Sequence, residues 1–203
     1  MGNRSGRKSG RDPSPGESPA QAGARERRRE APPVTAGRLE AAALRYLARY
    51  AASARHLERL LLNKVRRSAE RHGTDAKAGA AAVHALVDRL RRSGILDDRR
   101  YAEGKALSLR RRGGSTRSIR ATLAAKGVAP DERERAISEA DEGAIAEEAD
   151  LAAARRLARR RRLGPWRIKN RAVHRLRDLA ALGRAGFNYE VAIKVVDGSC
   201  EEG

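Results

Sequence analysis

The chain has 203 residues, with 45 Lys and Arg against 26 Asp and Glu, and its formal net charge is +19. Of its apolar residues 39 are alanine, and only 35 residues are Leu, Ile, Val or Phe. This composition lies in the range of disordered proteins, so the order of the residues must decide whether the chain folds. The single cysteine, Cys200, excludes an internal disulfide and a cysteine-based zinc site. No run approaches the ~20 apolar residues of a membrane helix and no secretory signal is visible. We therefore expect a cytoplasmic protein whose partner is anionic or is already bound to an anion.

Residues 1–37 are predicted to be a disordered basic tail. Five of the seven prolines lie there, and Val34 is the only large aliphatic residue of the segment. Such a segment cannot bury enough apolar surface to offset the entropy lost on ordering. A transit peptide is the weaker interpretation, because Pro and Glu interrupt any basic amphipathic face.

Apolar residues recur at helical spacing from Leu39 onward and predict an all-α fold of nine helices. The first helix carries an apolar face with Leu39, Tyr46 and Tyr50. Ser53 is placed to cap the second helix, and Gly94 stops the third.

The middle of the chain continues with short helices between capping residues and glycines. Asp97 or Asp98 can cap the fourth helix, and Ser115 or Thr116 opens the fifth, which Gly127 closes. The sixth begins at a proline, as helices often do.

The last three helices follow the same spacing. Ile145 marks the start of the seventh, Val173 and Leu176 mark the apolar face of the eighth, and Asn188 can cap the ninth.

A short motif near the ends of two helices indicates internal repetition. Residues 123–128 (LAAKGV) resemble residues 182–187 (LGRAGF), and residues 60–65 give a weaker copy in which Lys64 replaces the glycine. We therefore predict three tandem three-helix units in an elongated, curved array, followed by a short C-terminal tail. The predicted bounds are 39–96, 97–142, 144–197 and 198–203. The alternative is that this motif is simply a common helix ending, since residues 90–95 show it as well.

The excess positive charge is concentrated in two segments. Residues 99–126 carry nine Lys and Arg against one Glu, and residues 155–177 carry eleven against no acid. Between them, residues 131–150 hold nine acids against two arginines. Solvated helix faces and C-terminal capping explain part of this charge, but eleven cations in 23 residues favour an anionic partner. Aromatic residues are scarce near these segments, which argues against single-strand binding by base stacking.

The residues that an enzyme or a metal site needs do not occur in a recognisable pattern. The four histidines fall in different predicted helices without ligand spacing, and no phosphate-binding glycine loop occurs. The pair Asp97–Asp98 could bind a metal, but a helix N-terminus favours carboxylates for its own reasons. The sequence therefore predicts a protein that is not an enzyme and has no cofactor and no metal.

The run from Gly94 to Ala102 (GILDDRRYA) resembles the Gly-apolar-Leu-Asp-Asp-x-x-aromatic-Ala signature of the RecX regulatory proteins. The family's Arg-x-x-Gly and Ile-x-x-x-Leu-x-x-Lys-Gly-Val elements follow at its spacing, and residues 185–192 are similar to its last repeat. The resemblance covers about residues 39–197. It assigns caps, helix stops and core positions to nine residues: Asp97, Asp98, Tyr101, Gly113, Ile119, Leu123, Gly127, Gly186 and Phe187.

The resemblance implies three tandem three-helix repeats and a non-catalytic modulator of the RecA recombinase. Such a protein binds the RecA–DNA filament and inhibits its recombinase and ATPase activities, and we expect it to be a monomer. We hypothesise that twelve residues contact acidic side chains of the filament or DNA phosphates: Arg110, Arg111, Arg112, Arg117, Arg120, Lys126, Arg155, Arg156, Arg159, Arg160, Arg161 and Arg162. The alternative is a helical module that binds DNA without sequence specificity and acts without RecA.

Overall fold

The fold is all-α, as predicted. The computed structural model describes residues 32–199, and within them it shows nine α-helices, one 3-10 turn and no strand. Residues 1–31 and 200–203, which include Cys200 and most of the predicted tail, lie outside the described residues. The helices are α1 (Ala36–Leu47), α2 (Ala54–His72), α3 (Ala76–Arg92), α4 (Asp98–Arg111), α5 (Thr116–Ala125), α6 (Pro130–Ala140), α7 (Ala146–Arg161), α8 (Arg171–Arg184) and α9 (Tyr189–Val196), with the 3-10 turn at Gly164–Trp166.

Short polar side chains begin several of these helices as the sequence predicts. The side chains of Ser53, Asp97, Ser115 and Asn188 each accept a hydrogen bond from a backbone N–H in the first turn. These bonds satisfy donors that a helix N-terminus leaves without intrahelical partners. Between the two candidates at α4, Asp97 is the cap.

Three hydrophobic clusters form the interior, each from three consecutive helices. The first lies among α1–α3, the second among α4–α6 and the third among α7–α9. Alanine fills much of the second and third clusters, for example Ala102, Ala106 and Ala153, each 0% exposed. We call these groups the first, second and third units. They are compatible with the predicted repeats, whose equivalence and curved arrangement stay predictions.

The helical part begins earlier than predicted. α1 starts at Ala36 rather than at Leu39, and the Thr35 hydroxyl accepts a bond from the N–H of Arg38. The Val34 N–H also donates to the Ser68 hydroxyl of α2 at 2.9 Å. Residues 34–37 therefore belong to the folded part and not to the tail.

Three local predictions are wrong. α1 ends at Leu47, so Tyr50 lies beyond the helix and is 58% exposed. α2 continues past Lys64 to His72, so residues 60–65 do not end the helix. Val173 and Leu176 are 80% and 75% exposed because α8 buries a face rotated away from them, with Asp178, Leu179 and Leu182 inside.

Candidate functional surface

The same arrangement of contacts joins the first unit to the second and the second to the third. The Ser53 hydroxyl at the start of α2 donates to the Lys126 carbonyl at the end of α5. The Ser115 hydroxyl at the start of α5 likewise donates to the Ala185 carbonyl at the end of α8, at 2.8 Å. Each serine therefore caps its own helix and satisfies a carbonyl at the end of the middle helix of the next unit.

An aspartate completes each junction. Asp98 Oδ1 accepts from the Ala54 N–H at 2.7 Å, and Asp150 Oδ1 accepts from the Thr116 N–H at 2.7 Å. Both carboxylates thus lie at the N-terminus of a middle helix, where negative charge is stabilised. Asp98 is therefore a link between units, and Asp97 is the cap of α4.

Two glycines at the junctions have left-handed backbones. Gly127 has φ +79° and a Cβ there would overlap the Arg55 side chain, and Gly186 has φ +94° with the Ser115 hydroxyl 2.6 Å from where a Cβ would lie. Both follow the end of a middle helix, so a side chain would strain the backbone and press on the neighbouring unit. This agrees with the scaffold role that the resemblance implies for them.

The other scaffold residues also lie in the interior or at its edge. Ile119 and Leu123 are 0% exposed in the second cluster, Phe187 is 5% exposed in the third, and Tyr101 is half-buried against the second.

Arg110 is not a surface residue, contrary to the prediction that it contacts a filament. It is 4% exposed, and its guanidinium donates to Asp141 at 2.6 and 2.8 Å, to Asp150 at 2.7 Å and to Thr116 Oγ1 at 2.7 Å. A fifth bond reaches the Gly114 carbonyl at 2.9 Å. A guanidinium with these donors engaged cannot also bind a phosphate, so Arg110 ties α4 to α5 and α7.

Arg120 is exposed but has a partner. Its guanidinium makes two parallel bonds of 2.6 and 2.7 Å to Glu134, whose pKa these bonds lower. An exposed pair of this kind contributes little to stability, but it reduces the charge that Arg120 offers to another anion.

The remaining predicted cations lie at or near the surface. Lys126 and Arg155 are half-buried, and the other eight are exposed. The ion pairs found among residues 32–199 include none of these eight guanidinium groups. We call these eight exposed arginines the arginine surface: Arg111, Arg112, Arg117, Arg156, Arg159, Arg160, Arg161 and Arg162.

A glycine brings the two parts of the arginine surface together. Gly113 is buried with φ +77°, and a Cβ there would lie 2.8 Å from the Ala153 carbonyl oxygen and 2.9 Å from the Leu157 nitrogen. The turn that carries Arg112 therefore lies directly against the middle of α7, next to the segment that holds Arg156. Two basic segments that are separated in sequence by an acidic one meet at this contact.

The arginines at the end of α7 lie where a helix attracts cations. Three of them, Arg159, Arg160 and Arg161, occupy its last turn, and Arg162 follows in the left-handed conformation with φ +54°. The C-terminal dipole stabilises such charges by about 0.3–1 kcal/mol each. This accounts for part of the cluster, but mutual repulsion among its charges remains.

No helix in the described part of the chain is long and apolar enough to cross a membrane. Among residues 32–199 there is also no group of three or more His, Cys, Asp or Glu side chains that could hold a metal ion.

The chain is 46% identical to the regulatory protein RecX of Myxococcus xanthus over 161 residues, which cover 78% of this chain and 84% of that relative. The chain belongs to the RecX family. A second RecX protein, from Agrobacterium fabrum, is 34% identical over 108 residues, 53% of this chain and 54% of that protein. No family model matches the chain.

A solved RecX structure has a similar fold. It matches this structure with a TM-score of 0.54 over 80% of this chain and 71% of that one, at 18% sequence identity. The RecX names give this chain a regulatory role. They assign no role to individual residues of the arginine surface.

Proposed function

We propose that this protein is a non-catalytic regulator that binds the RecA–DNA filament and inhibits its recombinase and ATPase activities. The proposal rests on the family to which the chain belongs and on one structural observation, the arginine surface. That surface would contact DNA phosphates or acidic side chains of the filament.

The acids of the chain are largely engaged elsewhere, which supports this proposal. Asp141 and Asp150 hold the buried Arg110, Glu134 holds Arg120, and Glu147 holds Lys194. The arginine surface therefore has few internal anions to compensate it. An external polyanion would relieve its self-repulsion and release counterions on binding.

The experiment is an ATPase assay of RecA on single-stranded DNA with this protein added at two salt concentrations. We expect inhibition by the wild type and at least a severalfold loss of inhibition in the double variant R156E and R160E. The matched control is R66E and R67E, which makes the same charge change at two exposed arginines of α2 in the first unit. Circular dichroism checks that each variant stays helical.

Equal inhibition by R156E/R160E and wild type would exclude the arginine surface as the site. Salt-sensitive binding to bare DNA with no effect on RecA would instead favour the alternative, a DNA-binding module that acts without RecA. In that case the log–log dependence on salt is expected to have a slope of roughly −0.7 to −0.9 per phosphate contacted.

A further inference from the structure

A cleft between the first and second units contains three of the four tyrosines of the chain. Its volume is about 340 Å³, within the range of small ligand sites. The ends of α1 and α5, the start of α2 and the first half of α4 form its walls. The lining includes four aromatic rings and three cations: Tyr46, Tyr50, His56, Tyr101, Arg100, Lys105 and Lys126.

One tyrosine of the cleft is held in place and another is open. The Tyr46 hydroxyl lies 3.1 Å from Nε2 of His56, and its ring centre lies 5.2 Å from that of Tyr50 at an interplanar angle of 44°. Tyr50 itself lies outside any helix and is 58% exposed. The pair therefore offers an aromatic surface that is supported on one side and accessible on the other.

The cations lie at the same opening and come from other helices. Arg100 is exposed, and Lys105 and Lys126 are half-buried. Burial, together with the charges of Lys126 and Arg59, lowers the pKa of His56 and so favours its neutral ring. The cleft thus combines uncharged rings with a cationic rim.

A glycine in the lining leaves part of the cleft unfilled. Gly104 lies on α4, and a Cβ placed there would meet nothing within 4 Å. The backbone does not require glycine at this helical position, since its φ is not in the left-handed region. A larger side chain here would project into the space that a ligand would occupy.

We infer that this cleft binds an unpaired base of a single-stranded nucleic acid, with the base stacked on Tyr50 and the flanking phosphates held by Arg100, Lys105 and Lys126. Aromatic rings next to cations provide both parts that such a strand needs, a stacking platform and an electrostatic track. An acidic peptide would use the cations but not the rings. This site is separate from the arginine surface and does not depend on it.

The first test compares two labelled oligomers by fluorescence anisotropy, oligothymidine of about 15 nucleotides and an abasic oligomer of the same length. Both have the same phosphates, so a difference in affinity measures contacts with the bases. We expect wild type to prefer oligothymidine by about tenfold or more, and Y50A to lose most of that preference. The matched control is Y189A, which removes another exposed tyrosine, 66% exposed on α9. No base preference in wild type, or equal losses in both variants, would overturn the inference.

The second test fills the cleft rather than removing a contact. Leucine favours helix over glycine, so we expect G104L to fold at least as well as wild type, which thermal unfolding checks. It should nevertheless lose the base preference. A folded G104L protein that still binds oligothymidine like wild type would contradict the location of the site.

The third test maps the contact directly. Oligothymidine carrying 5-iodouracil, cross-linked by light and analysed by mass spectrometry, should label peptides with Tyr50 or Tyr101. Cross-links found only elsewhere would refute the assignment. The same strand with ribose in place of deoxyribose separates DNA from RNA as the source of the base. R156E/R160E leaves the lining of the cleft unchanged, so this variant should keep the base preference whether or not it still inhibits RecA. Failure of the proposed function is therefore distinguishable from failure here.

Discussion

Removal of the Arg110 side chain tests whether this residue stabilises the fold or binds a partner. In R110A the carboxylates of Asp141 and Asp150 lose the guanidinium that lies 2.6 and 2.7 Å away. Their side chains are 4% and 17% exposed, so little water can replace the lost bonds. A neighbouring substitution, R111A, removes an exposed arginine of the same helix and serves as the control.

The expected loss is large because one partner of a buried ion pair is removed and the others stay. Such changes cost about 3–5 kcal/mol, since the remaining charges are buried without compensation. For a chain of this size each kcal/mol lowers Tm by roughly 2–4 °C. R110A should therefore unfold about 6–20 °C below wild type, whereas R111A should stay close to wild type.

Thermal and urea unfolding followed by circular dichroism measure the effect. A triple variant, R110M with D141N and D150N, neutralises the whole group and should recover part of the lost stability, because no buried charge is then left alone. The reasoning is refuted if R110A unfolds like wild type and loses RecA inhibition to the same degree as a variant of the arginine surface. Arg110 would then act as a binding residue.

Four further substitutions test the scaffold. G113A should cost at least about 1–2 kcal/mol in urea unfolding, because it combines a left-handed backbone with contact against α7, whereas G104A should gain about 0.5–1 kcal/mol of helix propensity. S115A removes a cap and a bond to the next unit and should cost about 1–2 kcal/mol by the same measurement. Burial alone would raise the pKa of Asp178, but bonds from Arg167 and a backbone N–H outweigh it and lower the pKa below its ordinary 3.8. The stability from that carboxylate is therefore present above about pH 4 and is lost as the pH falls through the lowered pKa. The Tm difference between wild type and D178N should accordingly shrink as the pH is lowered below about 4.

Helices and their N-caps could be predicted because their signals are local. Ser53, Asp97, Ser115 and Asn188 each lie directly before an apolar periodic run, and one side chain per helix is enough to place its start. The end of α2 could not be read in the same way. Residues 60–65 match a helix ending only by analogy with another unit, and without the glycine nothing stops the helix.

The apolar spacing predicts the wrong buried face for α8, because this pattern places only apolar residues in the core. Asp178 is 1% exposed and occupies a core position that the pattern reserves for apolar residues. It is accommodated there by bonds from Arg167 and from the Gly164 backbone. Once an ion pair lies inside, the aliphatic Val173 and Leu176 face outward. A pairing of this kind depends on tertiary contacts that a single sequence does not display.

The candidate sites depend even more on contacts between distant residues. Nothing in the local sequence links Tyr50 to Lys105, yet the junction of two units places both in one cleft. Aromatic residues are scarce near the basic segments in sequence, but the fold brings Tyr46 and Tyr50 to the same cleft as Lys105. The Ser-to-carbonyl contact that forms the junction was likewise invisible, because the sequence showed Ser53 and Ser115 only as caps.

The ion pairs within the fold show which of the basic residues are compensated by acids and which are not. Counted along the chain, residues 99–126 and 155–177 are both strongly basic, and an acidic segment separates them. In the folded protein that segment supplies Asp141 and Asp150 to the interior and Glu134 to Arg120. The acidic segment therefore neutralises part of the first basic segment and leaves the arginines at the end of α7 uncompensated. Because uncompensated charge is what an external anion can neutralise, α7 should dominate the electrostatic part of binding, with the turn at Arg111 and Arg112 as its extension.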